Sequence, residues 1–514
     1  MDGARLAAPR GPAEALVTLS GMDRSGAAVA NAGHERLLVP GGIPGERVRV
    51  KRLRPVGRSV LCEIVAIDEA SPNRVTPRCR HAEACGGCSW QHIAYPEQLR
   101  RKTAALDVLL RHAMGEAAPR IAPAIGMPVG DDGMPWRFRQ KAAFVFDDGP
   151  QGLVMGHFAR GTNDVVPIEE CPVHADRGNR IAFALRDALV AAGIPASGSR
   201  TTGLARHVVV RTSRDETEAV AMLVTSRDDE TLQAPLRAVA SSPEKPEGLV
   251  LNLNDRPGPY LVGRESKRVA GPGHVKEEAL GPGFLVSPTS FFQSNVAAAA
   301  TLVRLVVEAM PGESGLRVLD LYSGGGLFAL SLAVRGHRVT AVEESRKSVK
   351  DAELNRRLNQ VAEGRLELVC APVERALPRF EAGAFDAVIL DPPREGCPPE
   401  VVRGVFERLR PARGVLVSCN PEALARELPL ALAAGYRIVR VQPVDMFPHT
   451  PHVEAVAVLE RRSGPAGKAA GPVTPRTPSS RSRTPGPRTP PARGRSRTPG
   501  SRRTGGAGPS GRKR

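Results

Sequence analysis

The sequence predicts a multidomain chain: an OB-like β-barrel over residues 12–70, a central α+β domain over 75–284, a doubly wound α/β domain over 285–462 and a disordered basic tail over 463–514. Three observations predict it. The C-terminal part repeats continuous apolar strands with helical stretches between most of them, which implies a mostly parallel sheet covered on both faces. The first seventy residues carry short strand-like runs separated by Gly and Pro, a spacing that suits a small barrel. From Ser463 onward there are 13 Lys and Arg, no acid and five Thr-Pro pairs, a composition that cannot bury enough apolar surface to order itself.

In chain order, the barrel strands are "EALVTLSG", "AAVAN", "HERLLVPGGIPGERVRVKRL" and "SVLCEIVAI". A cysteine-bearing loop, "RCRHAEACGGCSWQ", then runs into an amphipathic helical stretch, "YPEQLRRKTAALDVLLRHA". Between about 135 and 280, "FRQKAAFVF", "RHVVVRT", "EAVAMLVTS" and "GLVLNLN" read as strands alternating with helices. The βα units follow as "LRVLDLYSGGG", "HRVTAVEES", "LELVCAP", "FDAVILDPP", "GVLVSCNP" and "EAVAVLERR". At 514 residues the chain exceeds what one core supports.

Composition excludes several classes. The most apolar helical segment, "VAAAATLVRLVVEAM", carries Arg304 and is shorter than the roughly 20 residues a bilayer requires. The opening residues lack an apolar signal-peptide core, so a cytoplasmic location is expected, and a monomer. Eight cysteines are too few for a disulfide scaffold, so clustered ones read as ligands or nucleophiles. The net charge of +18 is concentrated in the tail; before it stand 59 basic and 54 acidic residues, so nucleic-acid binding cannot rest on charge alone.

Chemistry gathers at strand ends, where open α/β sheets hold their ligands. "VLDLYSGGGLFA" ends a strand at Asp320 to Tyr322 and turns through Gly324 and Gly326, whose bare backbone lets a ligand approach. Glu343 closes the next strand and could accept both hydroxyls of a ribose. A dinucleotide or S-adenosylmethionine suits both features, and a ligand-free βα turn would share the letters. "AVILDPPREGC" ends a further strand in Asp391, stiffened by Pro392 and Pro393. Cys419 ends another in "SCNP", and Glu454 follows "MFPHTPHV"; taken alone, Glu454 reads as a surface acid opening a strand. Cys79, Cys85, Cys88 and Cys171 form a tight set plus a distant fourth member, able to hold zinc or an iron-sulfur cluster. Cys62 and Cys370 lie in apolar strands and are expected in cores, with Cys397 a loop bystander.

These motifs carry a resemblance. "FFQSN", "DLYSGGGLF", "DPPREG", "SCNP" and "DMFPHTPHVE" occur in the order found in the RNA uracil C5-methyltransferases, and "CRHAEACGGCSWQHIAYPEQLRRK" with "ECPVH" resembles the iron-sulfur members that carry a TRAM barrel. The resemblance spans roughly residues 12 to 461. It implies S-adenosylmethionine contacts at Gln293, Tyr322, Glu343 and Asp391, with Gly324 and Gly326 in the turn. It implies a nucleophile at Cys419, a general base at Glu454 and a 4Fe-4S cluster, in preference to zinc, on Cys79, Cys85, Cys88 and Cys171. Ser323 stands where a cysteine is frequent, and Leu327 and Ala329 where polar residues are common, which leaves secondary cofactor contacts open.

Carbon 5 of uracil is a poor nucleophile until a thiolate adds to carbon 6, which is why the chemistry calls for a cysteine. The carbon 5 proton must then leave, the work of a positioned carboxylate. The target uridine must be unpaired or flipped, with the barrel and the basic stretches "VRVKRLRPVGR" and "QLRRK" expected to grip phosphates. The resemblance favours 23S ribosomal RNA over transfer RNA. The competing readings are a nicotinamide-dependent oxidoreductase, which leaves Cys419 and Glu454 without work, and a non-catalytic RNA-binding assembly factor, which leaves "SCNP" unexplained.

Overall fold

The structure, a computed structural model, describes residues 13–150, 152–198, 202–256, 261–278 and 281–462; the expected tail lies outside the described residues. The N-terminal strands are β1 (Glu14–Thr18), β2 (Gly21–Met22), β3 (Ala28–Ala32), β4 (Glu35–Val39), β5 (Arg47–Val56) and β6 (Ser59–Glu69). They form one sheet in the order β1-β5-β6-β4-β3-β2. Just past the edge strand β1, the Ser20 amide donates to Val29 O in β3 at 2.8 Å, which curls that edge toward the far side of the sheet. Along β5, Val48, Val50 and Arg52 are buried while Arg47, Arg49 and Lys51 are exposed, the period of two that a half-buried strand imposes. Val48 and Val50 pack with Val17, Leu37, Val39 and Cys62.

The chain then forms α1 (Tyr95–Met114). Expected with the central region, this helix packs Tyr95 into a core shared with the central sheet and Leu106 and Leu110 into the C-terminal core. "QLRRK" also differs from expectation. Arg100 and Arg101 pair with Glu97 at 2.6 and 2.8 Å, and Lys102 is fully buried on Asp445 at 2.5 Å. Lys102 is thus committed inside the protein and unavailable to a phosphate, Arg101 is largely covered, and Arg100 remains at the surface.

The central sheet contains β7 (Lys141–Gly149), β8 (Gly152–Phe158), β9 (Val165–Pro167), β10 (Ala205–Thr212), β11 (Ala219–Thr225), β12 (Gly248–Leu253) and β13 (Glu265–Ala270), in the order β13-β12-β11-β10-β7-β8-β9. On one face lie α2 (Asp176–Ala191) and α3 (Gln233–Ala240), burying Ile181, Leu185 and Leu236 against Phe144 and Phe146. On the other, Val209, Val220 and Met222 merge with the C-terminal core. β11 is therefore buried along its whole length, which matches its uninterrupted apolar sequence.

After a hairpin of β14 (Val275–Glu277) and β15 (Phe284–Val286), the C-terminal part runs through α4 (Val296–Glu308), β16 (Arg317–Leu321), α5 (Leu327–Ala333), β17 (Arg338–Glu343), α6 (Arg346–Leu358) and β18 (Leu366–Cys370). It continues with α7 (Val373–Ala376), β19 (Ala387–Leu390), α8 (Pro399–Arg403), β20 (Arg413–Ser418), α9 (Pro421–Ala433), β21 (Tyr436–Val444) and β22 (Glu454–Arg461). The sheet order is β18-β17-β16-β19-β20-β22-β21. Strands β16 to β20 are parallel, and β22 runs antiparallel to both neighbours. Order reverses between β16 and β19, which opens a crevice at their carboxyl ends. Cys370 departs from expectation: it is exposed, because β18 is the edge strand. Among the described residues no helix is long and apolar enough to cross a membrane.

Candidate active site

The crevice is built from four strand ends. At the end of β16, Asp320 is fully buried; its Oδ2 accepts the Ala329 N–H at 2.9 Å, while its Oδ1 has no partner among the described residues. The chain then turns through Tyr322 at φ 63°, Gly324 at 55° and Gly326 at 89°. A side chain at Gly324 would meet nothing within 4 Å, so the turn offers bare backbone to open space. Glu343, ending β17, braces this turn: it accepts the amides of Gly324 at 3.0 Å and Ser345 at 2.8 Å.

Asp391 follows β19, and its amide donates to Leu321 O at 3.3 Å, which sets it beside the end of β16. Its loop is fastened to α9. Asn420 donates to Arg394 O at 2.8 Å, Arg426 donates to Glu395 O at 3.0 Å, and Glu427 accepts the Cys397 amide at 2.6 Å. Gly396, at φ +84°, closes that loop so tightly that a Cβ would come within 2.4 Å of Glu427 Oε1. Only glycine fits there.

Cys419 is the single residue between β20 and the cap of α9. Asn420 accepts the Glu422 amide at 3.0 Å, and Pro421 takes the first helical position, so strand and helix are both ended by local rules. β20 pairs with β22 up to Ser418 opposite Ala455, so Cys419, one residue past the end of β20, and Glu454, which opens β22, lie at the same end of this strand pair.

The loop leading to Glu454 is held from outside the sheet. Lys102 Nζ donates to Asp445 and to Phe447 O, Gln98 Oε1 accepts the His449 amide at 2.9 Å, and His449 donates to Pro135 O at 2.8 Å while stacking on Trp136. Trp90, whose own indole reaches Gly26 O in the turn between β2 and β3, donates its amide to His449 O at 2.8 Å. The N-terminal half thus helps to fix Glu454.

Charge in the crevice is unbalanced. Burial pushes the Cys419 thiol up to about 11; Glu454 and Asp391 add to the shift and Arg394 opposes it. Burial takes Asp391 up to about 7. Burial, with Asp391 nearby, holds Glu454 well above the carboxylate range against the pull of Arg394. Asp320 is raised too, by burial and then by Asp391 and Glu343. A site whose carboxylates destabilise each other's charge favours a cationic occupant.

Gln293 lies in the loop before α4. That loop is tied to α6 by Ser290 on Asp351, and α6 in turn donates through Asn355 to Gly325 O at 3.2 Å. The loop and the glycine turn therefore share one support. Elsewhere, Cys79, Cys85, Cys88 and Cys171 line a single cavity of about 370 Å³ together with His81, Arg139, Arg160 and His174. Burial raises the Cys79 thiol, takes Cys88 to about 11 and Cys171 to about 12. Cys171, His157 and His174 also bring donor atoms within 4.8 Å of one another.

A family model described as tRNA (Uracil-5-)-methyltransferase matches residues 284–462. An uncharacterized RNA methyltransferase of Gloeobacter violaceus is 33% identical over 428 residues, 83% of this chain and 91% of the relative. The chain belongs to the RNA uracil C5-methyltransferase family. A second relative of this methyltransferase, an uncharacterized RNA methyltransferase of Caldanaerobacter subterraneus, is 33% identical over 87% of the chain and 97% of the relative. A crystal structure of the Pyrococcus abyssi tRNA (uracil-54, C5)-methyltransferase in complex with S-adenosyl-L-homocysteine aligns with a TM-score of 0.71 at 27% identity, covering 87% of this chain and 100% of that one.

In this methyltransferase the fold collects Tyr322, Gly324, Gly326, Glu343, Asp391, Cys419 and Glu454 at the carboxyl ends of one sheet, with Gln293 on the adjoining loop. Sequence reasoning passed over Asp320 as a crevice residue. Its signal was an acid set inside the apolar run "RVLDL", which a buried parallel strand does not tolerate without a reason. It also missed His157 and His174; the latter ends "ECPVH", three residues from Cys171.

Proposed function

We propose that the enzyme methylates carbon 5 of a uridine in RNA through a covalent bond from Cys419, with S-adenosylmethionine as donor. The observation that supports this reading is that Cys419, just past the end of β20, and Glu454, at the start of the neighbouring β22, come together at one end of the strand pair. The residues present fit the donor: Asp320 has a free, buried Oδ1, the glycine turn offers bare backbone, and the Glu343 oxygens retain lone pairs for a ribose diol after accepting two amides. Tyr322, Asp391 and Gln293 complete the proposed contacts. When bound, S-adenosylmethionine supplies an electrophilic methyl group and a positive charge.

Cys419 Sγ adds to carbon 6 of the flipped base, and carbon 5 becomes an enolate carbon able to take the methyl. Glu454 then removes the carbon 5 proton, after which the sulfur leaves and the aromatic ring is restored. A carboxyl whose affinity for protons is raised by burial is well matched to this step. Arg394 favours the thiolate. A positive neighbour lowers the thiol pKa, so Arg394→Gln raises it and the rise of kcat/KM with pH moves to higher pH. The expected loss near neutral pH is about 3- to 10-fold, with Arg394→Lys largely restoring the profile; an unmoved limb contradicts the role.

Four cysteines around a cavity of about 370 Å³ leave more room than one zinc ion fills. His81 Nε2, Arg139 Nε, Arg160 Nε and His174 Nδ1 are buried there without partners among the described residues. Such nitrogens suit an anionic cluster with sulfur acceptors, and we assign a 4Fe-4S cluster to Cys79, Cys85, Cys88 and Cys171. Its proposed role is structural or RNA-positioning, since methyl transfer consumes no electrons. Protein purified without oxygen is expected to contain iron and acid-labile sulfide in equal amounts; stoichiometric zinc alone contradicts this.

The N-terminal sheet is proposed to be a TRAM barrel that grips phosphates through Lys51, Arg54 and Arg58, since Arg47 and Arg49 are paired with Glu69 and Asp68. The proposed substrate is 23S ribosomal RNA, and the enzyme is proposed to act as a cytoplasmic monomer. A second reading, transfer RNA, is favoured by the Pyrococcus abyssi enzyme, whose entire length aligns. Mapping 5-methyluridine by mass spectrometry in cells with and without the gene tests both. Loss from 23S RNA supports the first, loss from transfer RNA the second, and loss from neither contradicts the function.

A further inference from the structure

Where the central sheet meets the C-terminal domain, cations gather that strand and helix rules would keep apart. Lys141 in β7 pairs directly with Arg211 in β10, and like charges so opposed repel. Arg139 stands two residues before Lys141. Lys347 adds a charge from the first turn of α6, where the helix dipole disfavours one. Burial, then Arg211, Lys347 and Arg139, hold the Lys141 ammonium down to about 8, with no acid among its influences.

Arg211 is 1% exposed. It donates to Phe292 O at 3.3 Å and lies 5.9 Å over the Phe292 ring, yet its Nε has no partner among the described residues. Two acids stand nearby. Glu277 offsets Arg211, and its oxygen accepts the Arg214 amide; Asp351 offsets Lys347 and holds Ser290. Arg139 also lines the cysteine cavity; the other three cations against two occupied carboxylates leave an uncompensated positive site, half-buried at Lys141 and open at Lys347. Through Phe292 and Ser290 it borders the loop that carries Gln293.

We propose that Lys141, Arg211 and Lys347 form an oxyanion subsite that takes a backbone phosphate of the substrate RNA beside the flipped uridine. The inference rests on the proposed RNA methylation. A buried guanidinium with an unpartnered nitrogen gives the phosphate a fixed donor, and the two ammonium groups supply charge. The same chemistry would accept the carboxylate of the methyl donor, and the test separates the two anions.

The test compares Lys141→Gln, Lys347→Gln and the double variant with native enzyme, using a uridine-containing substrate RNA and S-adenosyl-L-homocysteine as separate ligands. For the double variant, RNA affinity is expected to fall about 10-fold at moderate salt, and the slope of log K against log salt to flatten by about 0.7 per lost phosphate contact. The defect enters KM for RNA more than kcat, Lys141→Arg restores most of it, and S-adenosyl-L-homocysteine affinity holds. Lys347 is exposed, so Lys347→Gln, expected to fold, gives a smaller change in the same direction. Unchanged RNA affinity and slope in both single variants overturn the subsite, as does a loss confined to S-adenosyl-L-homocysteine. If native enzyme forms no adduct with 5-fluorouridine RNA, the methylation mechanism itself fails, a result independent of these variants.

Discussion

Replacing Cys419 with alanine abolishes RNA methylation, by roughly 10⁴-fold or more, while RNA and methyl-donor binding stay within a few-fold of native. The size of the loss follows from chemistry with no alternative route: carbon 5 of uracil cannot accept a methyl group without addition at carbon 6. The fold is expected to survive, because Cys419 is half-exposed and is neither a cap nor a strand pair. Asn420 and Pro421 start α9 without it. Single-turnover methyl transfer and a thermal melt check both halves. Turnover within 10-fold of native would show that the sulfur is not the nucleophile.

Glu454→Gln separates the steps. The amide cannot accept the carbon 5 proton, so turnover falls by roughly 10²- to 10⁴-fold. Addition and methyl transfer still proceed, and a covalent complex of enzyme with methylated RNA accumulates where native enzyme shows little. Denaturing gels of radiolabelled RNA detect it. The isosteric amide keeps the packing of a side chain that is 2% exposed, and it removes a negative neighbour that raises the Cys419 thiol. Adduct formation should thus be no slower than native. A variant that neither turns over nor accumulates adduct would assign Glu454 to an earlier step.

The legible part of the fold is the part governed by local rules. "VILDPP" and "VLVSCNP" announce strand ends because prolines and a cap residue follow apolar runs, and the structure ends β19 and β20 there. β21 was not anticipated. It is the edge of its sheet, and the outward Arg437 and Arg440 with Pro443 break the apolar pattern, as edge strands do. The path of α1 was equally hidden, since amphipathicity says that a helix buries a face without naming the partner. Its partner became visible only through Leu106, Leu110 and the Lys102–Asp445 pair.

At the crevice, the strand-end residues could be read from sequence because each punctuates its own element. Asp320 and the nest of Lys141, Arg211 and Lys347 could not, because their meaning lies in what the chain brings next to them from distant positions. Basic runs misled for the same reason. In "QLRRK", Lys102 looks like part of an RNA grip until Asp445, more than 340 residues away, proves to be its buried partner.

The most direct measurement is mass spectrometry of the native enzyme incubated with S-adenosylmethionine and RNA carrying 5-fluorouridine at the target position, where fluorine cannot leave as a proton. The account predicts a stable peptide–nucleotide adduct on Cys419, with the methyl group already transferred. An adduct on another residue, or methylated RNA released without any adduct, would contradict it.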